Sequence, residues 1–252
     1  DYDVVVVGAG AAGLAATNEF RKQGGKSVLC LEASNRIGGR VWTDNNIFGK
    51  PYDKGALWIE NGDSSPFIKF AEKNSKLTVY KERRSSQEIY SVYDGNKTAK
   101  NENELWRIYD TAQASIASTR KDISPIEVVP NQDSPWFNTA HMLVGPWEMG
   151  KDFSDYSCKD YNFEYDVITS GTYHCEQGYG ALFNEMYKDV PVELNTKVKE
   201  IDWSGKGVKI ITDKGTILSN KCIITVSNGV LSSEKIKFTP KLNVEKQEAF
   251  SK

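Results

Sequence analysis

Gly8, Gly10 and Gly13 stand at the spacing G-x-G-x-x-G, directly after four valines and before the apolar Leu14, Ala15, Ala16 and Phe20. A glycine turn that opens a helix aims backbone N–H groups and the positive end of the helix dipole at one concave point, which suits phosphate oxygens. Each glycine has a use there: Gly8 allows the turn, Gly10 lets backbone approach a pyrophosphate, and Gly13 lets helix and strand close up. Glu32 follows 24 residues after Gly8, where a dinucleotide-binding unit holds the adenosine ribose and rejects a 2′-phosphate. Arg36 and Arg40 then bracket Gly38-Gly39, a second glycine turn with guanidinium forks matched to phosphate. Small residues packing at a helix start would explain the first glycines, but not the acid or the second turn.

These groups need particular elements to hold them. Val4–Val7 reads as a strand buried on both faces, as in a parallel sheet. Ser27–Leu31, "SVLCL", reads as a second buried strand that delivers Glu32 at its end. Strand, glycine turn, helix and strand make one phosphate-binding unit.

The stretch "EASNRIGGRVWT", Glu32 to Thr43, resembles the flavin-containing amine oxidase family, in which a GGR loop lies on the FAD pyrophosphate. "YDKGALWIE", Tyr52 to Glu60, is similar to that family's next block. "QGYGAL", Gln177 to Leu182, and "ITVSNGVLSSEKIKFTPKL", Ile224 to Leu242, are similar to two further blocks in the same order. The resemblance spans nearly the whole chain and implies FAD as cofactor. It implies flavin contacts at Gly8, Gly10, Ala12, Gly13, Glu32, Ala33, Arg36, Gly39 and Arg40. Gly55, Ala56, Leu57 and Trp58 follow in the next block, and Val198 in "NTKVKEID" is implied as a backbone contact to adenine.

In that family a neutral amine loses hydride to flavin N5, O2 reoxidises the flavin and yields H2O2, and the imine is hydrolysed. The protein orients, excludes water and tunes protonation. Glu60, after Trp58-Ile59, resembles the polyamine oxidase branch, where a glutamate lines the catalytic tunnel. Glu164, ahead of "ITS", is similar to a second tunnel acid of that branch. Paired acids with Trp58 beside the flavin would attract a polycation. Both acids also belong to a set of 34, and solvated surface positions would also account for them. Trp106, Trp136 and Trp147 read as packing residues.

Composition narrows the class. The chain has 252 residues, 39% apolar and 26% charged, with a net charge of −2, an ordinary globular balance. No long basic run points to nucleic acid, and no segment nears the ~20 apolar residues of a membrane span. Cys30, Cys158, Cys175 and Cys222 lack metal-like spacing, and only His141 and His174 are present, so no metal site is expected. Cys30 and Cys222 sit in apolar strands and read as inert thiols.

The expected fold is α/β: a Rossmann-like FAD-binding domain with a parallel sheet and a β-meander, interleaved with part of a mixed α+β substrate domain. The FAD-binding part is expected at 1–60 and 175–252, and the substrate part at 61–174. Helices are expected at Pro66–Asn74, Glu102–Arg120 and Trp136–Met149. A hairpin is expected at Asp94-Gly95, and a three-stranded meander followed by a return strand over Val198–Val226. The family's flavin-proximal lysine and closing glycine segment match nothing here. The resemblance therefore places no catalytic residue in these 252 positions and implies completion by a C-terminal chain of the same precursor or a second subunit.

Polyamines are the favoured substrates, with L-amino acids or monoamines as the alternative. A flavin desaturase would need a more apolar middle region. A non-catalytic small-GTPase-binding relative would lose the arginine that stands here as Arg40.

Overall fold

The computed structural model describes residues 1–25, 27–82, 102–165 and 171–251, excepting the side chains of 102 and 163–165. The expected hairpin at Asp94-Gly95 lies outside them. In chain order the elements begin β1 (Tyr2–Val7), α1 (Ala11–Lys22), β2 (Val28–Leu31), β3 (Thr43–Asp44), β4 (Tyr52–Asp53), α2 (Pro66–Ala71) and β5 (Val79–Lys81). The helices α3 (Glu102–Ser118), α4 (Phe137–Met142) and α5 (Cys158–Tyr165) follow. The chain continues with β6 (Tyr173–Cys175), α6 (Tyr179–Met186), β7 (Val192–Glu193), β8 (Val198–Asp202) and β9 (Val208–Thr212). It closes with β10 (Thr216–Ile224), α7 (Asn228–Ser232), β11 (Lys237–Thr239) and α8 (Val244–Ser251).

The valine run does what its composition requires. β1 lies between β10 and β2, parallel to both, in a seven-stranded sheet ordered β11-β8-β9-β10-β1-β2-β7. Val4 and Val6 enter one buried cluster with Leu14, Cys30, Leu182 and Phe183. Val5 and Val7 enter the cluster on the other face, with Leu31, Val198, Ile210 and Ile236. β-branched residues suit a strand packed on both sides.

The meander differs from expectation in one respect. Its third strand and the return strand are a single element, β10: Thr216–Ser219 pairs antiparallel with β9, and Ser219–Ile224 pairs parallel with β1. No glycine or proline interrupts Thr216–Ile224, so nothing forces a turn between the two pairings.

Two compact units emerge, residues 1–81 with 172–252, and residues 82–171. The first is wider than the expected 1–60 and 175–252. Ile68 and Ala71 of α2 are buried in the cluster that holds Leu182 and Phe183, and β5 pairs with β6 through Val79 and Cys175. The second unit is helical among its described residues, with Ala112 and Ile116 of α3 buried against Phe137, Val144 and Phe153. The helix expected over Trp136–Met149 is split: α4 ends at Met142 and a wider π-helical turn runs Leu143–Trp147. Pro146 cannot donate to the carbonyl four residues back, so the regular ladder stops there. The helix expected over Pro66–Asn74 ends at Ala71, after Ser65 caps its start by accepting from the Phe67 N–H at 3.2 Å.

All four cysteines are free. Among the described residues no helix is long and apolar enough to cross a membrane, and no cluster of ligating side chains could hold a metal.

Candidate cofactor-binding site

The end of β1 opens onto a cavity of about 1060 Å³, at the upper end of the ~300–1,000 Å³ typical of ligand pockets. Its floor is the glycine turn. Gly8 sits at φ +102°, a conformation that glycine adopts without a Cβ penalty. Gly10 is the N-cap of α1, with no side-chain cap and no acid in the first turn. The first N–H groups of the helix are therefore left for an anion. A Cβ on Gly10 would meet no protein atom within 4 Å, and Gly10, Ala11 and Ala12 all line the cavity. Gly13 is different, because a Cβ there would stand 1.8 Å from the Gly8 carbonyl oxygen. It is a packing glycine and is absent from the cavity lining.

Thr225 closes the turn from the neighbouring strand end. Its hydroxyl donates to the Val7 carbonyl at 2.9 Å or the Gly8 carbonyl at 3.0 Å. The second glycine turn leans on the first: Gly38 N–H donates to Ala9 O at 2.8 Å, and a Cβ on Gly39 would come within 3.2 Å of Gly10 Cα. Gly55 packs so closely on Arg40 that a Cβ would lie 1.8 Å from its carbonyl oxygen, which also accepts the Ala56 N–H at 3.0 Å. Three glycine-bearing segments thus meet backbone to backbone.

Side chains then give the cavity its charge. Glu32 leaves the end of β2 with Oε2 accepting from Ala9 N–H at 2.8 Å and Oε1 from Ser34 N–H at 2.9 Å. The carboxylate is fixed at the rim, where a ribose hydroxyl can donate to a remaining lone pair. Ala33 follows it in the lining, and Val198, buried at the start of β8, lines the same cavity. Arg36 and Arg40 also line the cavity. Arg36 donates from Nη2 to Gly39 O at 2.8 Å and from Nη1 to Ile37 O at 3.2 Å. An uncapped helix start, a glycine facing open space, two guanidinium groups and one fixed carboxylate fit the pyrophosphate and ribose of FAD.

The structure brings Gly8, Gly10, Ala12, Glu32, Ala33, Arg36, Gly39, Arg40, Gly55, Ala56 and Val198 to one cavity. Leu57, Trp58 and Glu60 lie outside its lining and are exposed. Glu60 Oε2 accepts from the Thr172 hydroxyl at 2.9 Å. Glu164 is on α5, and its side chain is outside the described residues. Sequence reading missed Trp42, Lys54, Thr225 and Lys235 in the lining. Trp42 and Lys54 stand inside the quoted blocks, but no spacing rule marks their direction.

The model of the flavin containing amine oxidoreductase family matches residues 66–252, and that of the NAD(P)-binding Rossmann-like domain matches residues 6–73. Polyamine oxidase 4 of Oryza sativa subsp. japonica is 28% identical over 98% of this chain and 56% of its own length. Lysine-specific histone demethylase 2 of Homo sapiens is 25% identical over 98% of this chain and 33% of its own length. The chain spans about half the length of the polyamine oxidases it matches. Putrescine oxidase bound to putrescine superposes with a TM-score of 0.73 at 20% identity, over 99% of this chain and 63% of that one, and so shares the fold. With FAD as the cofactor that the cavity fits, the chain belongs to the flavin containing amine oxidoreductase family.

Proposed function

We propose that this chain is the FAD-binding part of an amine oxidase that acts on polyamines. The observation that carries the reading is the cavity itself, an anion-ready helix start that shares one lining with Arg36, Arg40 and Glu32. Bound FAD would supply a two-electron acceptor for the amine C–N bond, with O2 as the final oxidant and H2O2 as product. Gly10 admits the pyrophosphate, Arg36 and Arg40 offset its charge, Glu32 accepts from the ribose, and Val198 bounds the adenine end. The unit of residues 1–81 and 172–252 is the FAD-binding domain in this reading, and residues 82–171 contribute to the substrate domain. Glu60, braced by Thr172, and Glu164 are the acids that attract a polycationic substrate. Several relatives are named polyamine oxidases, which favours polyamines over monoamines or L-amino acids. The small-GTPase-binding alternative gains no support from them.

The reading includes completion of the fold by further polypeptide. Two observations support it: the relatives are nearly twice as long, and β10 has an open edge. Over Lys221–Ile224 that strand pairs only with β1 among the described residues, and Ile223 and Ile224 are 39% and 36% exposed. An open edge beside apolar side chains is ready for another strand. The test is a preparation showing flavin absorbance, assayed with a peroxide-coupled panel of polyamines, monoamines and amino acids, and resolved by denaturing electrophoresis. Expected are polyamine turnover and additional polypeptide, either as a second band or as a longer chain. Flavin-free protein or monoamine-only turnover would overturn the function. A single 252-residue species with full turnover would overturn the completion.

A further inference from the structure

We propose that Trp42 is a positioning residue of the FAD pocket, acting through two cations that share its indole. The inference rests on the cavity being the FAD site. Arg36 Cζ lies 4.4 Å from the Trp42 ring centroid, and Lys54 Nζ lies 4.1 Å from it. All three residues line the cavity. They come from different segments: Arg36 from the loop after β2, Trp42 just ahead of β3, and Lys54 just after β4.

Two cations at one ring repel each other unless something offsets them. The indole face does so through its quadrupole, for which tryptophan is the best of the aromatic side chains. Asp44 adds a carboxylate 3.0 Å from Lys54 Nζ. Backbone contacts complete the arrangement, with Arg36 donating to Gly39 O at 2.8 Å and Lys54 N–H donating to Trp42 O at 2.8 Å. Arg36 and Lys54 are long side chains that water would otherwise leave mobile. The indole holds both on the cavity wall before the cofactor arrives, so binding a pyrophosphate orders less. Trp42 is itself 39% exposed, more than a residue kept only for the core.

The test is titration of flavin-free protein with FAD, followed by quenching of flavin fluorescence, with a thermal melt to verify folding. Trp42→Ala should bind FAD about five- to thirtyfold more weakly, the fold-change that two exposed cation–π contacts correspond to. Trp42→Phe keeps an aromatic face and should recover to within about threefold of the parent. Lys54→Ala should cost less in the Trp42→Ala background than alone, since residues acting through one another are not additive. Parental affinity in Trp42→Ala, no rescue by phenylalanine, or strict additivity would each overturn the inference. A parent protein that takes up no FAD would overturn the cofactor site, and this inference with it.

Discussion

Where Gly10 would carry a side chain there is open cavity, with no protein atom within 4 Å. Glu60 is exposed, and among the described residues it accepts from the Thr172 hydroxyl beside the short bridge between Ile59 and Tyr173. The glycine-turn part of the cavity is built from backbone, with turns in contact and an uncapped helix start, and Arg36, Arg40, Trp42 and Lys54 add side chains to the same lining. The acid-bearing segment is made of side chains on an exposed loop. The first arrangement is set by backbone, which leaves space for a Cβ at Gly10 and none at Gly13. The second depends on where one exposed carboxylate points.

The sharpest way to break that comparison lies within the glycine turn. Gly10→Leu should fold with the stability of the parent, because its Cβ enters open space, yet retain no FAD, because the side chain fills the phosphate approach. Gly13→Val should fail in the opposite order, with its Cβ driven into the Gly8 carbonyl 1.8 Å away. It should lose about 3 kcal/mol of stability, the upper end of ordinary overpacking. Flavin absorbance and thermal melts of both variants separate the two. A fully yellow Gly10→Leu would show that backbone does not set the phosphate end.

Glu60→Gln should have a smaller effect confined to substrate. A polyamine should bind about tenfold more weakly, roughly 1.4 kcal/mol for one charge contact, with little change for a monoamine. Equal small losses on both would return Glu60 to the general surface.

The smallest effect is expected at a third place where side chains alone make the contact. On β8, Glu200 accepts from Thr239 Oγ1 at 2.7 Å and from Lys237 Nζ at 3.0 Å. The threonine hydroxyl first, and then the lysine, hold its carboxyl below the usual glutamate range. A carboxylate with a depressed folded-state pKa stabilises above its unfolded value and loses that contribution as pH falls through the folded one. Stability should therefore decline below about pH 4.5. Glu200→Gln should flatten that acid limb while leaving FAD affinity at neutral pH unchanged. Thermal melts from pH 7 to pH 3 measure it, and an unaltered acid limb would exclude Glu200 as a source.

The contrast among these sites explains what could be read in advance. The placement of Gly8, Gly10 and Glu32 at one cavity and the close packing of Gly13 were legible because each follows from local backbone chemistry at short separation. Trp58 was expected to wall the flavin, yet Trp42 is the tryptophan in the cavity lining. Both are aromatic residues beside a glycine-bearing block, and nothing local tells which way either ring faces. The helix expected over Trp136–Met149 breaks after Met142, where Pro146 lacks the donor that a regular ladder needs. The two pairings of β10 leave no mark in the sequence, because one unbroken β-rich run looks the same whether it serves one partner or two.

By itself the sequence determined the valine strand, the glycine turn that ends it, the helix that follows and the acid after β2. Those depend on glycine's freedom near φ +102°, on β-branching and on burial pattern, all properties of neighbours in the chain. Only the tertiary structure decided how the later blocks join them. Asp53 accepts the Tyr179 N–H at 3.1 Å across 126 residues, and Thr43 Oγ1 accepts the Gly180 N–H at 2.8 Å across 137. The β3–β4 hairpin thereby caps α6, whose own N-cap, Gly178, has no side chain to do so. That bond exists only once the whole sheet has brought both segments together. A helix end must find its acceptors somewhere, but the sequence does not say where.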